Sequence, residues 1–287
     1  MPELPEVETI VNAMKSGGRG GSPLIGLTVQ DILLLWPRTL AEPEDESALK
    51  ILKNQKLVEI RRRGKFIVLQ FSDDVVLIHL RMSGDIRVHQ ISSTNSIHGI
   101  VEKHDRFVIY FKEQVAMVFQ DTRKFGRIWL VKTADQITGK LGPEPFDSNL
   151  SADVFLTMLH SYHRQIKPLL MDQTFIAGLG NIYTDESLFL AGIHPRTNSN
   201  EISQGKAKAL LKSIRDVLGE GIHRNGSSID WIYRGGDFQK YFKVYQRTGD
   251  ACFICGQPIQ RILVGQRGTH FCPQCQPEPV YDENRKE

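Results

Sequence analysis

All four cysteines of this 287-residue chain lie after residue 251, as Cys252-Phe-Ile-Cys255 and Cys272-Pro-Gln-Cys275. Two residues between the thiolates of each pair let each pair grip one tetrahedral ion, and the stretch between the pairs can fold into a hairpin that brings them together. Chance pairing of buried cysteines leaves that spacing unexplained. A segment this short has almost no core of its own, so the pattern dictates a ribbon folded around metal. Four protein ligands leave no open coordination position, which makes the expected ion a structural Zn²⁺. The cysteines do not form the pattern of a secreted disulfide scaffold. The intervening stretch, QRILVGQRGTHF, carries Arg261 and Arg267, which suit phosphate contact or plain solvation.

Upstream, the periodicity divides the chain into two further regions. Leu4, Val7, Ile10, Val11 and Met14 recur at helical spacing, and SGGRGGSP (16–23) then breaks the pattern. That stretch lacks the Lys-Ser/Thr ending of a phosphate loop and reads as a flexible turn. The runs TVQDILLLW, KLVEIRRR, KFIVLQF, VVLIHLRM, DIRVH, RFVIYF, VAMVF and RIWLV are short, many of them alternating, and separated by turn signals. They predict an antiparallel β-sandwich. LGPEPFDSNLS (141–151) has the composition of a boundary, and ADVFLTMLH, IYTDESLFLAGI and residues 204–223 beyond it are helical in period. The expected fold is α+β and multidomain: a sandwich with an N-terminal helix over 1–145, a helical domain over 146–240, and the zinc ribbon over 241–281. A net charge of +3 permits a nucleic-acid partner without requiring one. No uncharged apolar window is long enough to span a bilayer and no signal pattern opens the chain, so a cytoplasmic protein is expected.

Four stretches carry candidate chemistry. MPELPEVETI reads as a helix start, with proline and carboxylates in the first turn. RRRGK (61–65) is basic, or alternates with buried neighbours on an edge strand. DTRKFG (121–126) sets Phe125 beside two cations, as a wedge into nucleic acid or a loop anchor. GLGNIYTDE (178–186) puts glycines and Asn181 before a helix, where amide groups can hold a phosphate.

Taken in order, MPELPEVET, RRGK, HLRMSG, DTRKFG, LGPEP, IKPLLMDQTFIAGLGNIYTDESLFLAGIHP and the four-cysteine ribbon resemble the formamidopyrimidine-DNA glycosylase family from Met1 to Cys275. The resemblance implies a base-excision repair enzyme. Such an enzyme removes 8-oxoguanine and ring-opened purines from double-stranded DNA and then cleaves the strand, acting also on abasic sites. It further implies a monomer, associated with the bacterial nucleoid, with a helix–two-turn–helix element around GLGNIY. Loss of Met1 would give Pro2 a free secondary amine, and an α-amino group of pKa about 7.7–8.0 is partly neutral at physiological pH. By resemblance Pro2 is then the Schiff-base nucleophile, Glu3 moves protons, Lys65 serves β-elimination and Arg267 assists δ-elimination. Glu6 is an N-terminal anchor. His104, Arg123, Lys167 and Asn181 match contacts to the DNA backbone, with Arg164 or His163 replacing a missing basic residue. Met82, Arg123 and Phe125 match the residues that fill the gap left by the extruded nucleotide.

Three features depart from the family pattern. Arg81 stands in HLRMSG where glycine is usual, HSYHRQ before IKP is less basic, and the segment 224–245 is short, with Asp230 at a commonly basic position. Two other readings stay open: an endonuclease VIII-like enzyme for oxidised pyrimidines, and a zinc-ribbon DNA-binding protein without catalysis. MPELPEVET favours the formamidopyrimidine branch over the first. Pro2, Glu3 and Lys65 together favour an enzyme over the second.

Overall fold

Helix α1 (Leu4–Ser16) starts at an N-cap supplied by Glu3, in a capping box with Glu6, and carries Pro5 in its first turn. Pro2 therefore lies outside the helix. The computed structural model describes residues 1–91, 101–228 and 235–279. The chain divides into two compact units: Met1–Lys140 with Gly221–Gln239, and Leu141–Glu220 with the chain from Lys240 onward.

In the first unit the apolar stripe of α1 (Val7, Ile10, Val11, Met14) enters one core with the inward residues of two sheets. The strands are β1 (Val29–Leu34), β2 (Leu40–Glu42), β3 (Leu57–Arg63), β4 (Phe66–Phe71), β5 (Val75–His79), β6 (Gly84–Gln90), β7 (Asp105–Phe111), β8 (Val115–Asp121) and β9 (Arg127–Val131). Their order is β1-β7-β8-β6 in one sheet and β2-β9-β5-β4-β3 in the other. Each predicted strand run holds a strand, and the pairs are antiparallel except β2 with β9. The sandwich is thus mixed at one edge, where three residues of β2 lie parallel to β9. The stretch 16–23 is not the flexible turn expected of it. Arg19 binds Asp85 through both guanidinium nitrogens at 2.9 and 2.6 Å, and a Cβ at Gly21 would meet Val88 at 2.6 Å. A short helix, α2 (Asp135–Thr138), follows β9.

The second unit holds α3 (Ala152–His160), α4 (Ile166–Met171), α5 (Asn181–Leu190) and most of α6 (Gln204–His223). Helix α4 is made by IKPLLM, where Pro168 sits in the first turn and so removes no intrahelical bond. LGPEP docks on the turn after α4. The N–H of Gly142 donates to the Gln173 carbonyl at 2.9 Å, and a Cβ at Gly142 would lie 2.4 Å from the Phe175 carbonyl oxygen. Gln173 in turn takes the Gly178 N–H and donates to the carbonyls of Met171 and Leu179, shaping the double turn between α4 and α5. The ribbon hairpin is β10 (Gln260–Val264) and β11 (Arg267–Phe271). Its two-residue turn, Gly265-Gln266, has φ of 53° and 61°, the left-handed pair that matches strand twist.

Candidate active site

Around the N-terminus of α1, one carboxylate ties two segments together. Glu6 Oε2 accepts the N–H of Glu3 at 2.8 Å, and Glu6 Oε1 accepts the N–H of Ser227 at 2.7 Å and its hydroxyl at 3.1 Å. Glu3 and Glu6 are both buried, Pro2 is half-buried and Met1 is exposed. Glu6, for which an anchoring role is expected, makes these three bonds. It fixes the residue next to Pro2 and the root of the segment that follows α6. Gly226 leaves room for this, since a Cβ there would approach the Glu6 carboxylate to 2.7 Å. Beyond Ser227 the segment closes on itself: the Ser228 hydroxyl donates to the Gly236 carbonyl at 2.7 Å and accepts N–H groups of Gly235 and Gly236. Asp230, and with it the middle of the short segment, lies outside the described residues.

Lys65 occupies the tight turn between β3 and β4, after Gly64 at φ 56°, and is 4 % exposed. Strand β3 is an edge strand, as RRRGK allowed. Arg62 on it donates to Glu8 of α1 at 2.6 Å and to the Gly64 carbonyl at 3.1 Å, which sets the lysine turn against α1. His79, at the end of β5, is buried edge-on against Phe66, with ring centroids 4.8 Å apart. Burial first, then the positive charges of Arg81 and Lys65, push its imidazole down to about 3, so it is neutral. Its Nδ1 accepts the Arg81 N–H at 3.0 Å.

A second cluster gathers the expected gap-filling residues. Buried Asp121 bonds the Ser83 hydroxyl and accepts the N–H groups of Arg123 at 3.1 Å and Gly126 at 2.7 Å. This carboxylate joins the turn bearing Met82 to the turn bearing Arg123 and Phe125. Met82 is 39 % and Phe125 50 % exposed, and the Arg123 guanidinium lies 5.3 Å from the Phe125 ring centre. Lys124 Nζ sits 3.8 Å from the ring centre of half-buried Trp36, so the cation beside Arg123 rests on that ring while the residue stays exposed. His104 is half-buried next to this cluster, its carbonyl accepting the Asp121 N–H at 2.9 Å.

The second unit corrects one expectation. Lys167 is not available to a DNA backbone: its side chain is fully buried, and Nζ donates to Asp185 Oδ1 at 2.6 Å and to the Gly268 carbonyl at 3.1 Å. A cation with no water around it is stable only when so paired. Asn181 opens α5 and donates to the same Gly268 carbonyl at 3.1 Å. Arg267 stands exposed directly after the hairpin turn. Arg164 is engaged with Asp172 at 2.8 Å, which holds the Asp172 carboxyl below its usual range, and it must leave that partner to reach a phosphate. The acidic pair of α5 was missed by sequence reasoning. Asp185 also accepts the His270 N–H at 2.9 Å, and Glu186 accepts those of Lys243, Val244 and Tyr245 at 2.8, 3.0 and 2.8 Å. Burial raises the Glu186 carboxyl above its ordinary value despite these three donors. The only hint in the sequence was two adjacent carboxylates on a helix that is otherwise uncharged.

The cysteines converge as their spacing requires. Their four Sγ atoms lie within 4.8 Å of one another, with Cys252 and Cys275 3.8 Å apart and Cys255 and Cys272 3.4 Å apart. A tetrahedral Zn²⁺ with Zn–S near 2.3 Å puts its sulfurs about 3.8 Å apart, so the set fits the ion. Burial opposes ionisation of Cys252, but N–H groups of Cys255 and Ile254 outweigh it and hold the thiol at about 7. Burial and the neighbouring thiols push Cys272 and Cys275 up, which a bound cation would reverse.

Comparison with known proteins gives a consistent answer along the chain. The family model described as the formamidopyrimidine-DNA glycosylase N-terminal domain matches residues 1–128. The H2TH domain of the same enzymes matches 141–232, and a zinc finger found in FPG and IleRS matches 249–277. The formamidopyrimidine-DNA glycosylase of Ligilactobacillus salivarius is 41 % identical over 285 residues, covering 96 % of this chain and 99 % of that protein. The Enterococcus faecalis protein of the same name is 37 % identical, covering 96 % and 97 %. Among solved structures, Lactococcus lactis Fpg in complex with DNA containing an abasic site superposes with a TM-score of 0.85 at 35 % identity, covering 96 % of this chain and all of that one. MutM in complex with DNA containing carbocyclic 8-oxo-G gives 0.84 at the same identity and coverage.

Proposed function

The chain belongs to the formamidopyrimidine-DNA glycosylase family, and from that premise we propose that it excises oxidised purines from damaged double-stranded DNA and cuts the strand at the resulting abasic site. The observation that carries the reading is the position of Pro2. Glu3 and Glu6 cap α1 and Pro5 fills the helical proline position, so Pro2 has no part in starting the helix. Freed of Met1, its neutral amine attacks C1′ of the damaged nucleotide and the C1′–N bond breaks. The base leaves with a proton and the attacking amine loses its own; the C1′–O4′ bond then breaks as Glu3 delivers a proton to O4′, and the new C1′–N bond becomes the iminium of an opened sugar. The iminium acidifies C2′–H. Loss of that proton, with Lys65 as the base, expels the 3′ phosphate. A second elimination expels the 5′ phosphate, assisted by Arg267. His104, Arg123 and Asn181 bind backbone phosphates, while Met82, Arg123 and Phe125 fill the space of the extruded nucleotide and offset part of its unstacking. The four cysteines hold one Zn²⁺ whose contribution is structural: it fixes the hairpin that carries Arg267. In functional terms the chain is a catalytic sandwich (1–145), a helix–two-turn–helix module (146–240) and a zinc finger (241–281), acting as a cytoplasmic, nucleoid-bound monomer.

The test is incision of duplexes containing 8-oxoguanine, thymine glycol or no lesion. The expected result is fastest cutting at 8-oxoguanine, with phosphate on both ends of the gap. Preference for thymine glycol would favour the endonuclease VIII-like reading, and tight binding with no cutting would favour a binding protein.

A further inference from the structure

The turn from β5 to β6 carries an arginine in a conformation that arginine disfavours. Arg81 has φ 53°, the left-handed region that a residue with a Cβ disfavours. The backbone is held there by the Arg81 N–H bond to His79 Nδ1 at 3.0 Å. Nothing inside the molecule compensates at the other end of the side chain. Arg81 is exposed, and among the described residues its guanidinium has no hydrogen bond and no carboxylate partner. Four arginines of the same unit are engaged internally: Arg19 holds Asp85, Arg62 holds Glu8, Arg87 holds Asp105, and Arg106 donates to the Asp121 carbonyl. The exposed Arg81 guanidinium is therefore open to an anion from outside the molecule.

The position of the turn indicates which anion. Arg81 precedes Met82, and Ser83 bonds Asp121, which also fixes the backbone of Arg123. Arg81 is thus mounted on the same corner as Met82, Arg123 and Phe125, and its charge acts, like that of Lys65, on His79. We propose that Arg81 is a DNA-binding residue whose guanidinium takes a backbone phosphate beside the gap that Met82 enters. The inference rests on the reading of the chain as a DNA glycosylase.

The experiment measures affinity for a duplex bearing a tetrahydrofuran abasic-site analogue across a salt series, together with the unfolding temperature. The variants are Arg81→Gly, Arg81→Asn and Arg81→Lys. Glycine and asparagine both accept left-handed φ, so they keep the turn while removing the charge. Each should flatten the slope of log K against log salt by about 0.9, the share of one phosphate on B-DNA, and weaken binding several-fold, with the unfolding temperature unchanged or raised. Arg81→Lys should keep the wild-type slope. Wild-type slopes in both neutral variants would overturn the inference and leave the glycosylase reading standing. A wild-type protein that binds the duplex without salt dependence would overturn both.

Discussion

The ammonium of Lys167 has no exposed surface, and its worth lies in Asp185 and the Gly268 carbonyl. Removing one member of such a buried pair strands the other, which costs about 3–5 kcal/mol. Lys167→Met should therefore lower stability by about that amount in denaturant unfolding and leave the salt dependence of DNA binding as it was. A stable variant whose salt slope drops by about one would restore the phosphate role. Sequence shows a lysine but not its burial, and its partner lies eighteen residues away on another helix, which is why the contact was assigned to DNA. His79 supports a second prediction. Its folded pKa, about 3, lies below the unfolded value of about 6.5. As pH falls, the unfolded chain takes the proton first. The stability that neutral His79 contributes is complete above about pH 6.5 and is lost toward pH 3, at about 1.4 kcal/mol per unit. Between about pH 7 and 5, wild type should lose about 2 kcal/mol more than His79→Asn. Parallel curves for the two proteins would show that His79 is not held neutral.

Elements were legible where periodicity had room to repeat. Eight strands of five to seven residues, β1 and β3 to β9, sit in the predicted runs because each alternates toward a shared core. Strand β2 has three residues and α4 six with a proline among them, too few to establish a period, and tertiary docking decides both. The loop 16–23 was misread because composition shows its glycines but not Asp85, which pins it from another strand. At the ribbon the reverse holds, since the spacing alone specified the cysteine cluster. The hairpin is tied to α5 by Asp185, which accepts the His270 N–H, and Phe189 packs against Cys252 and Cys272. Elemental analysis should find one zinc per chain. Cys272→Ser should lose the metal, melt the hairpin and with it the placement of Arg267, and bind DNA more weakly. Full affinity in a zinc-free variant would separate the finger from DNA binding.

Across the whole chain, the candidate residues fall in both compact units. Pro2, Glu3, Lys65, Met82 and Arg123 belong to the first, and Asn181, Arg267 and the cysteines to the second. Their motifs were readable because each needs particular residue types in a short stretch. The partners of the carboxylates that organise them were not, because Glu6–Ser227 and Asp121–Ser83 join positions far apart in the chain. The central claim is narrower than the fold. It is that the amine of Pro2 performs the chemistry. The measurement is borohydride trapping on an 8-oxoguanine duplex, comparing protein that begins at Pro2 with protein that retains Met1 or a tag ahead of it. An amide nitrogen has no nucleophilic lone pair, while the sandwich, helices and ribbon are untouched. The blocked protein should bind the duplex with normal affinity, form no borohydride-stable adduct and cut no strand, whereas the free protein does both. Equal trapping by the two proteins would contradict the account and move the nucleophile to a lysine, Lys65 first.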